Sequence, residues 1–306
     1  FLYFHMAGRL RKKYDRIFKE MTSLEFQNTQ DFNLSEEDIL SESGGIRHQT
    51  NLFLGYYHPK TIDLYLKKFH VFEYLSTLGL KDLKYVLDLT DSYEHKFCIY
   101  SGKYEDSKKV VEIVLRKRGL ELEETPFNTS GLKDAEFLYV EWLLLQNPEK
   151  QFSFRRPRLP GQVYPGLRIG DHVMEILYHM AERIRTSGLA NTPNYLHTAV
   201  LFSKEFLFID PEMEAINQAI KGYLMKHYSL WTIAWAGYYE CIYHTDTGKP
   251  LEWKPSLMVL PISDDIKKYF NSKEYKGSFR YYKDKLRIDV DRDLLMTKIK
   301  EQGDVI

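Results

Sequence analysis

The pattern best suited to chemistry is Tyr164-Pro165-Gly166-Leu167-Arg168-Ile169-Gly170, with a helical run beginning at Asp171 directly behind it. The first turn of a helix leaves backbone N–H groups unbonded, and the helix dipole adds partial positive charge there. Glycines let a backbone approach an anion closely, so such a turn suits a phosphate. Arginines at 155, 156, 158 and 168 would add charge-assisted hydrogen bonds to a diphosphate. Two familiar phosphate loops fail on spacing: no Gly-Lys-Ser/Thr is present, and G-x-G-x-x-G is absent. A plain helix start with packing glycines is the alternative.

Three other groupings carry polar chemistry. His172, Glu175, His179 and Glu182 share one helix face, where they would serve as metal ligands or as an ordinary solvated face. No second carboxylate-and-histidine helix completes a metal site, so no metal is expected. Asp264-Asp265 and Asp289-Val290-Asp291 are too short to argue from, and the absence of G-x-S-x-G removes the usual serine-hydrolase elbow. Tyr228, Trp231, Trp235, Tyr238, Tyr239 and Tyr243 repeat at near-helical spacing, as an acyl or stacking pocket or as buried core.

These residues need elements to position them. Residues 5–24 read as an amphipathic helix, with Leu10, Tyr14, Ile17, Phe18 and Met21 on one side and Arg9, Arg11, Lys12, Lys13 and Arg16 interleaved. That basic side would meet a phosphate, an acidic lipid or water. Residues 27–49 are polar, with Ser43-Gly44-Gly45 marking a loop. Residues 61–78 restore helical spacing, and Gly79 stands where a C-cap belongs. Residues 84–89, 96–100, 110–115 and 137–145 alternate or run apolar at strand length, predicting an antiparallel meander with a turn at Ser101-Gly102-Lys103. A helix over 171–185 follows, with Val173, Leu177, Met180 and Ile184 as its buried stripe. Beyond it, residues 195–202 and 206–209 are apolar, 211–226 look helical, 257–261 suit a strand, and the last forty residues suit charged helix or hairpin.

With strand, loop and helix in that order, residues 164–170 and the Asp-His-Val-Met-Glu-Ile-Leu behind them resemble motif A of the GCN5-related N-acetyltransferase superfamily. That motif reads Q/R-x-x-G-x-G/A before a long helix. Ala199-Val-Leu-Phe-Ser-Lys-Glu-Phe-Leu-Phe208 is similar to the family's A-x-x-L-Y-x-x-x-G-F segment. The resemblance spans roughly residues 83–210. It implies that the amides of Gly166, Leu167, Arg168, Ile169, Gly170 and Asp171 hold the pyrophosphate of acetyl-coenzyme A. It also implies that Glu141, in the last strand before the loop, takes the proton from an amine substrate. The apolar neighbours Tyr139, Val140, Trp142 and Leu143 would raise that carboxyl towards neutrality. Pro165, Arg168 and Phe202 depart from the pattern, at its first Gln/Arg, its central glycine and its tyrosine; Phe cannot protonate a thiolate.

The expected protein is therefore a mixed α/β chain with an acetyltransferase-like antiparallel or mixed sheet flanked by helices. An N-terminal helical segment would occupy 1–82, the core 83–226 and an extension 227–306. The expected function is acyl-coenzyme A binding with acetyl transfer to a small-molecule or peptide amine, or a binding or scaffold role without catalysis. With 43 basic and 43 acidic side chains, the formal net charge is zero, which disfavours a nucleic-acid track or a polybasic membrane anchor but leaves room for a local basic patch. Two cysteines far apart, no apolar stretch of spanning length and no signal h-region predict a cytoplasmic chain without a membrane span.

Overall fold

The computed structural model describes residues 10–21, 52–119, 132 and 134–302. Among them the chain is mixed α/β and divides into two compact units, neither continuous in sequence. The first comprises Phe1–Lys117, Trp142–Glu149 and Gly166–Arg185; the second comprises Arg118–Glu141, Lys150–Pro165 and Thr186–Ile306.

In the first unit, α1 covers residues 10–21, followed by α2 (Pro59–Lys68) and α3 (Val71–Thr77). The single helix expected over 61–78 is thus two. His70 breaks it by taking a left-handed conformation at φ 52°, while Gly79, at φ 92°, ends α3 by donating to the Ser76 carbonyl. Strands β1 (Leu83–Asp88), β2 (Glu94–Ser101) and β3 (Lys109–Gly119) follow, the last passing into the second unit at Arg118. The β1–β2 pairing is antiparallel from Leu83↔Ser101 to Asp88↔Lys96, and β2–β3 is antiparallel with an irregularity between Ile99 and Tyr100. The three strands match the expected alternations to within a few residues, and Gly102, at φ 85°, makes the expected turn.

Strand β4 (Glu136–Leu145) is shared by the units, its first six residues lying in the second and its last four in the first. It leads to α4 (Gly170–Arg183), whose stripe Val173, Leu177, Met180 and Ile184 is buried as expected. In the second unit come β5 (Gly188–Asn191), α5 (Leu196–Phe202), β6 (Leu207–Phe208) and α6 (Pro211–Ala219), which runs on through a wider turn at Ile220–Leu224. Then follow α7 (Leu230–Tyr238), β7 (Ile242–His244), β8 (Met258–Pro261), α8 (Asp264–Asn271), α9 (Lys273–Lys285), β9 (Ile288–Val290) and α10 (Arg292–Gln302). Side chains that cap helix starts fix several of these: Asp210, Ser229, Ser263 and Ser272 each accept backbone N–H bonds of the helix that follows.

The main sheet has the order β1-β2-β3-β4-β5-β8-β6, and β7 and β9 form a separate antiparallel pair. Strand β5 runs parallel to β4 over only three pairs, Phe137↔Gly188 to Tyr139↔Ala190. It runs antiparallel to β8, which is in turn antiparallel to β6. A core of Phe137, Tyr139, Ala190, Ile209 and Val259 from the strands and their ends packs on Ile266, Phe270 and Tyr275 from α8 and α9. The expected loop at Ser43-Gly44-Gly45 lies outside the described residues.

Candidate functional site

The chain leaves β4 at Leu145 and returns to the same place twenty residues later. Gln146 and Gly166 form an antiparallel bridge, and the Leu167 amide donates to the Leu145 carbonyl at 3.2 Å. Gln146 holds this junction by donating from its backbone to Val110 O at 2.9 Å and from its side chain to Lys109 O at 3.0 Å. Leu167 and Ile169 are buried, so they pin the loop while Arg168 between them points to solvent. Helix α4 then starts behind Ile169, which supplies no side-chain cap. Asp171 places an acidic group in the first turn.

Neither glycine of the loop is required by its backbone conformation or by packing. Neither Gly166 nor Gly170 is left-handed; the left-handed residue is Arg168, at φ 62°. A Cβ on Gly166 would meet only Leu145 O at 3.6 Å, and one on Gly170 would meet nothing within 4 Å. Packing therefore demands neither glycine, and Gly170 borders open space.

The polar face of α4 is only partly solvated: His172 and Glu182 are exposed, whereas Glu175 and His179 are buried. It lies under α1. Arg11 Nε donates to Glu175 at 2.5 Å, and its guanidinium sits 3.8 Å from the centre of the Tyr178 ring. Tyr14 Oη and His172 Nδ1 are 2.8 Å apart; His179 has Asp15 at 3.4 Å and Glu182 at 3.1 Å, with its ring 4.6 Å from that of Phe18. Burial lowers the pKa of both histidines, with Lys13 adding to the effect at His172, while Glu182 and Asp15 oppose it at His179. The basic side of α1 is thus partly consumed inside the unit through Arg11, while Lys12, Lys13 and Arg16 remain exposed. Among the described residues, no three His, Cys, Asp or Glu side chains gather as metal ligands.

Glu141 belongs to the second unit. It is exposed, and Arg118 Nε stands 3.4 Å from its carboxylate while the Arg118 guanidinium lies 3.9 Å from the centre of the Tyr139 ring. Of its apolar sequence neighbours, Tyr139 and Val140 are buried, Leu143 is half-buried and Trp142 is exposed. Phe202 packs against Phe206 at 5.5 Å. Counted from the buried Ala199, the tyrosine of A-x-x-L-Y falls on Ser203, whose hydroxyl donates to Val200 O at 2.8 Å. Neither position offers a phenol.

Three buried groups in the second unit escaped sequence reasoning. Among the described residues, the side-chain amides of Asn191 and Asn217 and Nδ1 of His197 have no hydrogen-bond partner. His197 stacks on Tyr195 at 5.5 Å, and burial pushes its pKa down to about 4. The apolar run around it hid this histidine, and only its polarity within that run marked it. Of the aromatic block, Trp235 and Tyr239 are core while Tyr238 is half exposed. The first unit also has a shallow groove of about 280 Å³, lined by Asp63, Leu66, Lys67, Phe72, Glu73, Ser76 and Tyr85, which shares no residue with the loop.

Comparisons with family models, curated proteins and solved structures find no match to this chain.

Proposed function

We propose that this chain binds acyl-coenzyme A through residues Gly166–Asp171 and has an acetyltransferase-like core. The observation that carries the reading is the β4–loop–α4–β5 unit, in which the two strands are parallel yet paired over only three residues. A helix follows the loop without a side-chain cap, so its first amides suit an anion. The antiparallel strands before the loop agree with the order the resemblance implies. Open space beside Gly170 leaves room for a diphosphate, and the exposed Arg168 supplies a guanidinium. Asp171 opposes an anion there, which limits affinity.

In the fuller form of the proposal, an amine attacks the thioester carbonyl, the coenzyme thiolate leaves, and a base accepts the amine proton, the role that the resemblance gives to Glu141. A second reading, binding without transfer, draws on the Arg118–Glu141 ion pair and the missing phenol.

Thermal shift with coenzyme A, acetyl-coenzyme A and desulfo-coenzyme A tests the common part. All three should raise Tm, and Gly170→Asp should abolish the rise while leaving the fold intact, because its side chain enters open space. No shift with any of them at millimolar concentration sinks the proposal. Glu141→Gln then separates the readings: under the first it loses transfer and keeps binding, whereas wild type that binds without turnover on a panel of amines supports the second.

A further inference from the structure

The acyl-coenzyme A reading leaves one feature of the second unit unused. Ser153 and Arg156 exchange both backbone hydrogen bonds, at 3.0 and 2.8 Å, closing a tight turn with Phe154 and Arg155 at its apex. Phe154 is 100% exposed. Apex positions favour Gly, Asn, Asp or Pro, each for a backbone or hydrogen-bonding reason that phenylalanine lacks, so turn formation does not account for it. Arg155 is exposed, Arg156 is half-buried, and among the described residues neither is paired with a carboxylate.

The base of the turn is stiff. Pro157 and Pro160 restrict it, Trp235 Nε1 donates to Arg158 O at 3.1 Å, and Arg158 Nε donates to Gln162 O at 2.8 Å. Gly161, at φ 77°, lies so close to the Tyr195 ring that a Cβ there would stand 2.6 Å from it. The apex is therefore held out on an anchored support, with Val163 of the same segment also 68% exposed.

An aromatic ring flanked by unpaired guanidinium groups suits an anionic surface. An ordinary protein interface covers about 800 Å² on each side, more than a four-residue turn offers by itself. A lipid surface asks for no such area or shape: a ring settles at the headgroup boundary while cations meet lipid phosphates. We propose that residues 153–156 are a shallow anchor for anionic membranes, with Phe154 entering the headgroup boundary and Arg155 and Arg156 on phosphate groups. This contact is peripheral; no helix among the described residues is long and apolar enough to span a bilayer.

Co-sedimentation of the full chain with phosphatidylcholine vesicles, with and without a third phosphatidylserine, tests this. Binding should require phosphatidylserine and weaken in high salt. Arg155→Glu with Arg156→Glu should lower the partition coefficient at least about twenty-fold, at about five-fold for each positive charge lost. Phe154→Ala should lower it about ten-fold. Both variants alter side chains outside the core, so Tm should be unchanged. No binding to phosphatidylserine vesicles, or equal binding by Phe154→Ala, overturns the proposal. Capture on immobilised polyglutamate without vesicle binding, lost in both variants, assigns the turn to an acidic protein partner and also overturns it.

Discussion

At the scale of single residues, Arg168 concentrates the conflict between local backbone preference and site chemistry. Its φ of 62° is a conformation glycine adopts freely and a side chain with a Cβ adopts at about 1 kcal/mol or more. The buried Leu167 and Ile169 on either side hold it there. Arg168→Gly should therefore stabilise the ligand-free protein by up to about 1 kcal/mol in urea unfolding, reduced by the greater freedom of glycine in the unfolded chain. The same variant reports on the phosphate seat. Weaker coenzyme A binding together with a higher Tm would mean that the guanidinium grips the ligand. Tighter binding would mean that it obstructs the seat. A loss of stability would mean that the left-handed conformation carries no strain.

At the scale of elements, what was legible in the sequence depended on whether the signal was local. The strands β1, β2 and β3 and the stripe on α4 announce themselves through alternation or 3.6-residue spacing. Helix-to-helix matching is not local. The face of His172, Glu175, His179 and Glu182 reads as polar and hence solvated, which holds for the exposed His172 and Glu182, yet Arg11 and Asp15 of α1 meet the buried Glu175 and His179 across a sequence gap that no periodicity spans. Glu175 is 2% exposed, so Arg11→Ala would remove a guanidinium from beside a buried carboxylate. That change should cost about 3 kcal/mol, and adding Glu175→Leu should restore much of it; equal losses in the single and double variants would show that packing by the Arg11 stem, rather than charge, holds α1. Strand β5 gives a second case. A Cβ on Gly188 would stand 2.5 Å from Leu260 O, a backbone atom that cannot swing away. Gly188→Ala should therefore force β5 and β8 apart and cost about 2 kcal/mol or more, whereas Gly170→Ala should be close to neutral. The sequence shows both glycines and gives no means of telling the obligatory one from the permissive one.

At the scale of the molecule, a formal net charge of zero means that no general repulsion loosens the fold near neutral pH, so its pH response comes from particular buried groups. Burial lowers the pKa of His95, His172, His179 and His197 in the folded chain. The unfolded chain titrates these near about 6.5 and so takes up more protons below that point, which drains stability as pH falls. Asp210 and Glu214 act in the other direction, since burial raises their pKa and acidification relieves the cost of holding them charged. For His197, with its pKa pushed down to about 4, the loss is about 2 kcal/mol by pH 5 and about 3 kcal/mol by pH 4. His197→Phe keeps a ring on Tyr195 and removes the proton. Urea unfolding at pH 7.5 and pH 5 should therefore show a drop in wild type that is about 2 kcal/mol smaller in the variant. If wild type is flat over this range, the two carboxyl groups are balancing the histidines, and His197→Phe should then grow more stable on acidification. An unchanged difference between the two pH values in the variant would mean that His197 does not titrate within this window and that the acid response belongs to the other histidines.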